Sequence, residues 1–191
     1  MQRSWRRCAV VLAGVLTGAA LCWEPALARI NDKNWEAGGY VVDSHYNNSA
    51  GINDVFTLGG RAGYFFSAAN GLELDFDKGS SNGREFQSIN FDVSKTSLNY
   101  VHNMTLKGKE KTVPLVFFGF GKIKVDDGGG TASRNFLGGG AGVRYFYTPR
   151  LALRVDGTIY RWRGDGTVVK SAPFYSFDIK IGVSYVFGAA K

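Results

Sequence analysis

The stretch Leu72-Glu73-Leu74-Asp75-Phe76-Asp77 interleaves apolar and acidic residues without a break. A period of two is the signature of a β-strand with one greasy and one polar face, because successive side chains point to opposite sides. The same pattern returns at Leu151–Ile159, where Leu151, Leu153, Val155 and Ile159 share one face and Arg154 and Asp156 the other. It returns again near the end of the chain. There Tyr175, Phe177, Ile179, Ile181, Val183, Tyr185 and Phe187 oppose Ser176, Asp178, Lys180, Gly182 and Ser184. After residue 29 no stretch shows helical spacing over a helical length. Eight strands follow, at 35–43, 54–66, 72–78, 86–102, 113–125, 136–148, 151–161 and 174–187. Pro114, Pro149 and Pro173 fall at segment edges or in turns, where a missing amide proton does no harm.

Composition agrees. Glycine contributes 26 of 191 residues and proline only 4, with 14% aromatic and 20% charged residues. That mixture excludes a charged disordered tail, a coiled coil and a helical membrane bundle.

Alternation alone leaves the direction of the faces open, since a soluble lipocalin-like barrel turns its apolar face inward and a membrane barrel turns it outward. Several segments are long enough to cross a bilayer at a tilt. Short links at 67–71 and 148–150 alternate with longer polar links at 44–53, 79–85, 126–135 and 162–173; the link at 103–112 is long on the short side. The polar phases carry both signs of charge, Arg61, Arg144, Arg154 and Lys180 against Glu73, Asp75, Asp156 and Asp178. Opposed charges can neutralise one another in a narrow lumen, so the sequence predicts an all-β, eight-stranded, antiparallel up-and-down transmembrane β-barrel. An even count of strands joined in sequence closes the sheet and leaves no edge unpaired in lipid.

Finer features carry expectations of their own. Gly138, Gly140 and Gly142 lie on the polar phase before Arg144, either making room for long charged side chains or relieving strand curvature. In the fourth segment Ile89, Phe91 and Val93 follow one phase and Leu98 and Tyr100 the other, which predicts a bulge near Lys95. In the fifth, Phe118 and Phe120 share a phase with Lys122 and Lys124 and are expected to block the lumen. Aromatics bunched at strand ends (Tyr64 to Phe66, Tyr145 to Tyr147, Tyr160, Trp162, Phe174, Tyr175) are expected to form interfacial girdles.

Residues 1–28 read as a cleaved signal peptide: Arg3, Arg6 and Arg7, an apolar run from Ala9 to Leu21, and Ala26-Leu27-Ala28 before the cut. A retained anchor is the weaker alternative, because the run is shorter than the roughly 20 residues a spanning helix needs. Lipidation at Cys22 is weaker too, since Leu21 precedes it where a small residue belongs. Both cysteines lie in this segment, so the mature chain 29–191 has no thiol chemistry. Loss of Arg3, Arg6, Arg7 and Glu24 removes three positive charges and one negative from the formal +7 and leaves +5. In an exported protein that excess suits anionic lipid phosphates, and no nucleic-acid partner is expected.

At this point the sequence resembles the small outer-membrane β-barrel family of the OmpA- and OmpX-like type, over essentially all of residues 30–187. The most specific piece is Lys180-Ile181-Gly182-Val183-Ser184-Tyr185-Val186-Phe187. It is similar to the carboxy-terminal signal read by the barrel-assembly machinery, with Lys180, Gly182, Tyr185 and Phe187 in its key places. Gly188 to Lys191 follow where the family usually stops. Gly71 to Asp75 and Gly140 to Tyr145 also look like the family's strands. The resemblance implies both termini in the periplasm, the four longer loops outside a Gram-negative cell, and periplasmic chaperones and lipopolysaccharide among the partners. A monomer is expected.

Candidate chemistry is sparse. Lipid A-modifying barrels need a base beside a serine, and of His45 and His102 only His45, with Asp43 and Ser44, is placed for that. Ser44 and His45 are adjacent on a strand and so face opposite ways. No cofactor or metal site is expected; Asp126-Asp127 before three glycines reads as a solvated turn. Arg163-Gly164-Asp165 matches an integrin-read tripeptide, but three residues are too few to be specific and Gly164-Asp165-Gly166 reads as an ordinary hairpin tip. The leading expectation is a non-enzymatic barrel that supports the envelope or presents surface loops. A narrow or gated porin-like channel comes second and a lipid A-modifying enzyme third.

Overall fold

A computed structural model describes residues 30, 32–46, 53–82, 90–104, 106, 111–163 and 173–188. The proposed signal peptide, the tripeptide beyond Arg163 and the last three residues lie outside the described residues. Eight strands run β1 Asn34–Tyr46, β2 Val55–Phe65, β3 Asn70–Asn82, β4 Asn90–Asn103, β5 Thr112–Asp126, β6 Thr131–Phe146, β7 Leu151–Arg163 and β8 Pro173–Phe187. Each pairs antiparallel with its sequence neighbour, and β1 closes on β8 from Trp35↔Phe187 to Tyr46↔Ser176. No sheet edge remains, so every strand has hydrogen-bonding neighbours on both sides.

The apolar face points outward. Leu72, Leu74 and Phe76 are about half exposed, at 45%, 51% and 52%, while Glu73, Asp75 and Asp77 between them are 1–4% exposed. On β8, Tyr175 to Phe187 present every second residue to the outside. Roughly 12 steps of about 3.4 Å along a strand tilted about 40° rise about 30 Å, close to the height of a bilayer's hydrocarbon core.

At one end of the cylinder the β2–β3 and β6–β7 turns are tight, while β4 and β5 are joined by a longer link, as expected. Ser67 and Asn70 exchange backbone hydrogen bonds at 3.2 Å, and Tyr147 and Thr148 donate to the carbonyl of Leu151. At the other end lie Tyr46, Val55, Asn82 and Asn90, where β1 to β4 end or begin, and the β5–β6 hairpin. That hairpin corrects the expected long link at 126–135: β5 continues to Asp126, β6 starts at Thr131, and four residues join them. Asp127 accepts from the amides of Gly129 and Gly130, and Gly128 takes a positive φ of 80° that suits its missing side chain.

Two further expectations are corrected. No bulge occurs near Lys95; β4 pairs residue for residue with both β3 and β5 from Asp92 to His102. Phe91 and Val93 point into the barrel and Leu98 and Tyr100 out of it, in one unbroken alternation. Phe118 and Phe120 are 58% and 60% exposed on the outer face with Lys122 and Lys124, so they do not block the lumen. The inward phase of β5 is Leu115, Phe117, Gly119, Gly121, Ile123 and Val125.

Replacing Phe118, at the centre of the apolar run of β5, by Arg puts a cation among lipid tails and should cost about 2–4 kcal/mol. Denaturant titration of the barrel in vesicles measures it. An unchanged midpoint would mean that this face does not meet lipid.

Candidate functional site

Among the described residues the barrel interior is where the fold concentrates ionisable side chains, and it is layered. Across its middle lie five cations, Arg61, Lys95, Arg144, Arg154 and Lys180, and six carboxylates, Glu36, Glu73, Asp75, Asp77, Asp156 and Asp178, all buried. Seven of the eight strands supply them; among the described residues β5 supplies none.

The charges form a chain across the interior. Arg144 on β6 donates to Asn103 on β4 at 2.9 Å, to Glu36 on β1 at 2.7 Å and to Glu73 on β3 at 3.3 Å. Glu73 also accepts from Arg154 on β7 at 2.6 Å, and Arg154 Nε donates to Asp156 at 2.9 Å. Asp156 accepts from Arg61 on β2 at 2.9 Å, and Arg61 lies 3.4 Å from Asp75. Asp75 in turn accepts from Lys180 on β8 at 2.8 Å. Nearer the loop end Lys95 on β4 donates to Asp178 on β8 and, at 2.9 Å, to Ser44 on β1, with Asp77 3.7 Å away. Rings cap several cations: Tyr40 lies 5.0 Å from Arg61 and 5.1 Å from Lys180, Phe65 5.3 Å from Arg144, and Tyr160 5.4 Å from Lys95.

Small residues make the space. Gly142 faces Asp156, and a methyl group there would stand 2.1 Å from its carboxylate oxygen. Gly138 and Gly140 yield to the rings of Tyr160 and Phe117 instead. Of the two readings of that glycine run, room for neighbours is the one the contacts support, though only one of the three neighbours is charged. Tyr40 lies between Gly59 on β2 and Gly182 on β8, where an added side chain would come within 2.5–2.6 Å of it.

Apolar layers close both ends. Towards the loops, Tyr46, Val55, Phe91, Val93, Ile123, Val125, Phe136, Tyr160, Trp162 and Phe174 pack together. Trp162 stacks obliquely on Phe174 at 5.1 Å and meets Tyr46 edge-on at 6.4 Å. Towards the turns, Ile30, Phe65, Val101, Leu115, Phe117, Phe146, Ala152 and Val186 form a second plug. The girdle expectation is thereby corrected in part. Tyr145 and Tyr175 face outward, with Phe66 and Tyr147 exposed in the turns, but Phe65, Phe146, Tyr160, Trp162 and Phe174 fill the lumen.

The residues expected in the lumen, Arg61, Glu73, Asp75, Arg144, Arg154, Asp156, Asp178 and Lys180, are all buried there; seven of them are linked by ion pairs with one another, and Asp178 pairs instead with Lys95. Sequence reasoning left Glu36, Asp77 and Lys95 out of that set. Asp77 continues the alternation that marked Glu73 and Asp75, so its signal was present. The residues of the carboxy-terminal signal divide between faces: Tyr185 and Phe187 stack outside at 6.4 Å, and Lys180 and Gly182 point inward. At the loop end of β1, Ser44 points into the lumen towards Lys95 while His45 points out, 3.0 Å from Asp54 and 3.4 Å from Asp43. His102 at the turn end contacts Asn70 at 2.8 Å. Asp126 accepts from the amide of Gly128 and the hydroxyl of Thr131, closing a turn. Among the described residues no cluster of three or more metal-ligating side chains occurs.

A closed eight-stranded barrel, greasy outside and charged within, is the construction of a bilayer-spanning β-barrel. The chain belongs to the outer membrane protein β-barrel domain family, whose model matches residues 12–187. It is 32% identical over 127 residues to outer membrane porin F of Pseudomonas fluorescens, covering 61% of this chain but 38% of that protein. Among solved structures it resembles the N-terminal β-barrel domain of Pseudomonas aeruginosa OprF, with TM-score 0.59 and 15% identity over 83% of this chain and 100% of that domain. Neisserial surface protein A gives TM-score 0.59 and 19% identity over 81% and 96% of the two chains. Ail of Yersinia pestis gives 0.51 and 17% over 82% and 99%. At such identities these structures speak for the fold alone.

Arg154 touches Glu73, Asp156 and Glu36, so Arg154→Ala strands buried carboxylates and should cost roughly 3–5 kcal/mol. Removing a carboxylate as well, in Arg154→Met with Glu73→Gln, should recover part of that loss. A double-mutant cycle by denaturant titration measures the coupling; additive losses would show that the pair does not interact.

Proposed function

We propose that this outer-membrane barrel is a non-conducting, non-enzymatic envelope protein that supports the outer membrane and presents its loops at the cell surface. The observation that carries the reading is the layered interior. A selective pore needs a continuous wet path and tends to carry rings of one charge sign. Here both signs are matched across the middle, and a plug of buried aromatic and aliphatic side chains lies above and below. The paired charges hold the lumen shut, and the outward aromatics at the belt's margins help to set its height in the bilayer. A lipid-modifying role suits the site less well, because Ser44 and His45 lie on opposite faces of β1.

The same reading has residues 1–28 exporting the chain across the inner membrane of a Gram-negative bacterium and being removed after Ala28. Periplasmic chaperones and the assembly machinery then receive it, the latter through Lys180, Gly182, Tyr185 and Phe187, and it folds as a monomer among outer-membrane lipid and lipopolysaccharide. Intact-mass measurement of the outer-membrane protein should give a chain beginning at Arg29.

A narrow or gated porin-like channel is the second reading, favoured by the likeness to the Pseudomonas fluorescens porin, of which this chain spans 38%. Conductance of the purified protein in planar bilayers separates the two. The closed reading expects a flat baseline. Steady openings that disappear when Arg144 or Arg154 is replaced would establish the channel instead.

A further inference from the structure

The outer face carries a groove that a plain lipid-facing wall does not require. It runs along β4, where the outward residues shrink to Ser94 and Thr96 above Leu98, between taller side chains on both neighbouring strands. Phe76 on β3 and Phe120 on β5 wall it, and the cleft holds about 770 Å³. The register makes this a consequence of local sequence: Phe76 pairs with Thr96 and Thr96 with Lys122, while Lys78 pairs with Ser94 and Ser94 with Lys124. The groove is therefore greasy at its turnward end and basic at its loopward end.

Two of the bases there, Lys122 and Lys124, are short of partners. Lys78 lies 3.8 Å from Asp92. Asp126, the other carboxylate on the outer face of this sector, is held by Gly128 and Thr131. Lys122 and Lys124 are exposed and make no ion pair among the described residues. Three strands from β4 round the barrel, β1 presents Asp43 and His45 at its loop end, with Asp54 beside them. Among the described residues, then, two lysines without an ion pair stand on the β5 side of this end, while the β1 side presents two carboxylates about a histidine.

We propose that the β3–β5 groove docks one phosphorylated glycolipid of the outer leaflet, a lipid A-type molecule, with an acyl chain between Phe76 and Phe120 and a headgroup phosphate on Lys122 and Lys124. The charge complementarity selects an anionic head. The groove's place at the loop end, in a barrel whose loops lie outside the cell, selects the outer leaflet, and to that extent the inference rests on the proposed orientation. Lysine suits the task because its four-carbon stem lies along the apolar wall while the ammonium reaches the headgroup layer. The small side chains of Ser94 and Thr96 leave the gap an acyl chain fills.

The test uses the full refolded barrel in detergent and native mass spectrometry with bis-phosphorylated lipid A, dephosphorylated lipid A and phosphatidylglycerol. Heat-modifiable gel migration reports folding, and bilayer conductance reports the proposed function separately. The parent protein should retain bis-phosphorylated lipid A at least about 10-fold better than either other lipid. Lys122→Glu with Lys124→Glu should abolish that preference. Thr96→Trp, which fills the groove without changing charge, should weaken binding of all acylated probes. Lys111→Glu, at the turn end, should leave binding unchanged. Should the double charge reversal not fold, Lys122→Gln with Lys124→Gln replaces it, with a smaller loss in the same direction. Equal retention of dephosphorylated lipid A or of phosphatidylglycerol, or retention unaffected by the lysine and Thr96 variants, would overturn the proposal. A barrel that conducts yet still shows the lipid preference would sink the closed-wall reading and leave the glycolipid site standing.

Discussion

The hydrogen-bonded seam between β1 and β8 is the constraint from which the rest of this molecule follows. Lipid offers no partner to a backbone amide, so a sheet that crosses it must close on itself. Closure at eight strands leaves an interior about wide enough for side chains and little else. Whatever points inward must therefore pack or pair, and whatever points outward must tolerate hydrocarbon. The inside-polar, outside-apolar arrangement seen at Glu73 and Leu74 reverses that of a soluble protein for this reason.

Buried ion pairs are poor sources of stability, because desolvation offsets much of the Coulomb attraction. Their presence here answers another need. A lumen filled only with leucine would make the two faces of every strand alike, and a one-residue slip in pairing would cost little. With Arg61, Arg144 and Arg154 inside, a slip on β2, β6 or β7 would turn a guanidinium towards lipid. The charges thus fix which face is inner and which register each strand takes. Their links between distant strands, such as Glu36 on β1 to Arg144 on β6, tie the cylinder across its diameter.

That division of labour explains what was legible in the sequence. Strands such as 72–77 and the 176–184 part of β8 read correctly because, over that length, the outer face is apolar and the inner face is polar or glycine, meeting the ion-pair layer. β4 misled because the rule changes along its length. Phe91 and Val93 lie at the loop end, where the lumen is plugged by apolar side chains and the outer face has left the hydrocarbon, so the apolar phase switches without any bulge. β5 is apolar on both faces because it adds Leu115 and Phe117 to one plug, Ile123 and Val125 to the other, and Phe118 and Phe120 to the belt. Lys95 was hidden in a polar run between Ser94 and Thr96. Glu36 was hidden in Asn34 to Gly39, where alanine and glycine blur the alternation.

The aromatics show how the same physics serves two ends. A ring is wide and stiff, so it can mark the bilayer interface or stop a narrow bore, and composition does not distinguish these uses. Neighbours do. Tyr160 and Trp162 turn inward in phase with Arg154 and Asp156, two or more residues along one strand, and Gly138 clears the space for Tyr160. Tyr185 and Phe187 share the outward phase of Ile179 and Ile181 and remain in the belt. A ring's role is thus set by the parity it shares with the nearest charge, and that parity can be read once the strand is known to contain no bulge. The plugs occupy the two ends because the middle is already held by ion pairs that need every neighbouring polar atom. An aromatic at the level of Arg144 or Arg61 is accommodated only where, like Phe65 or Tyr40, it offers its face to a cation.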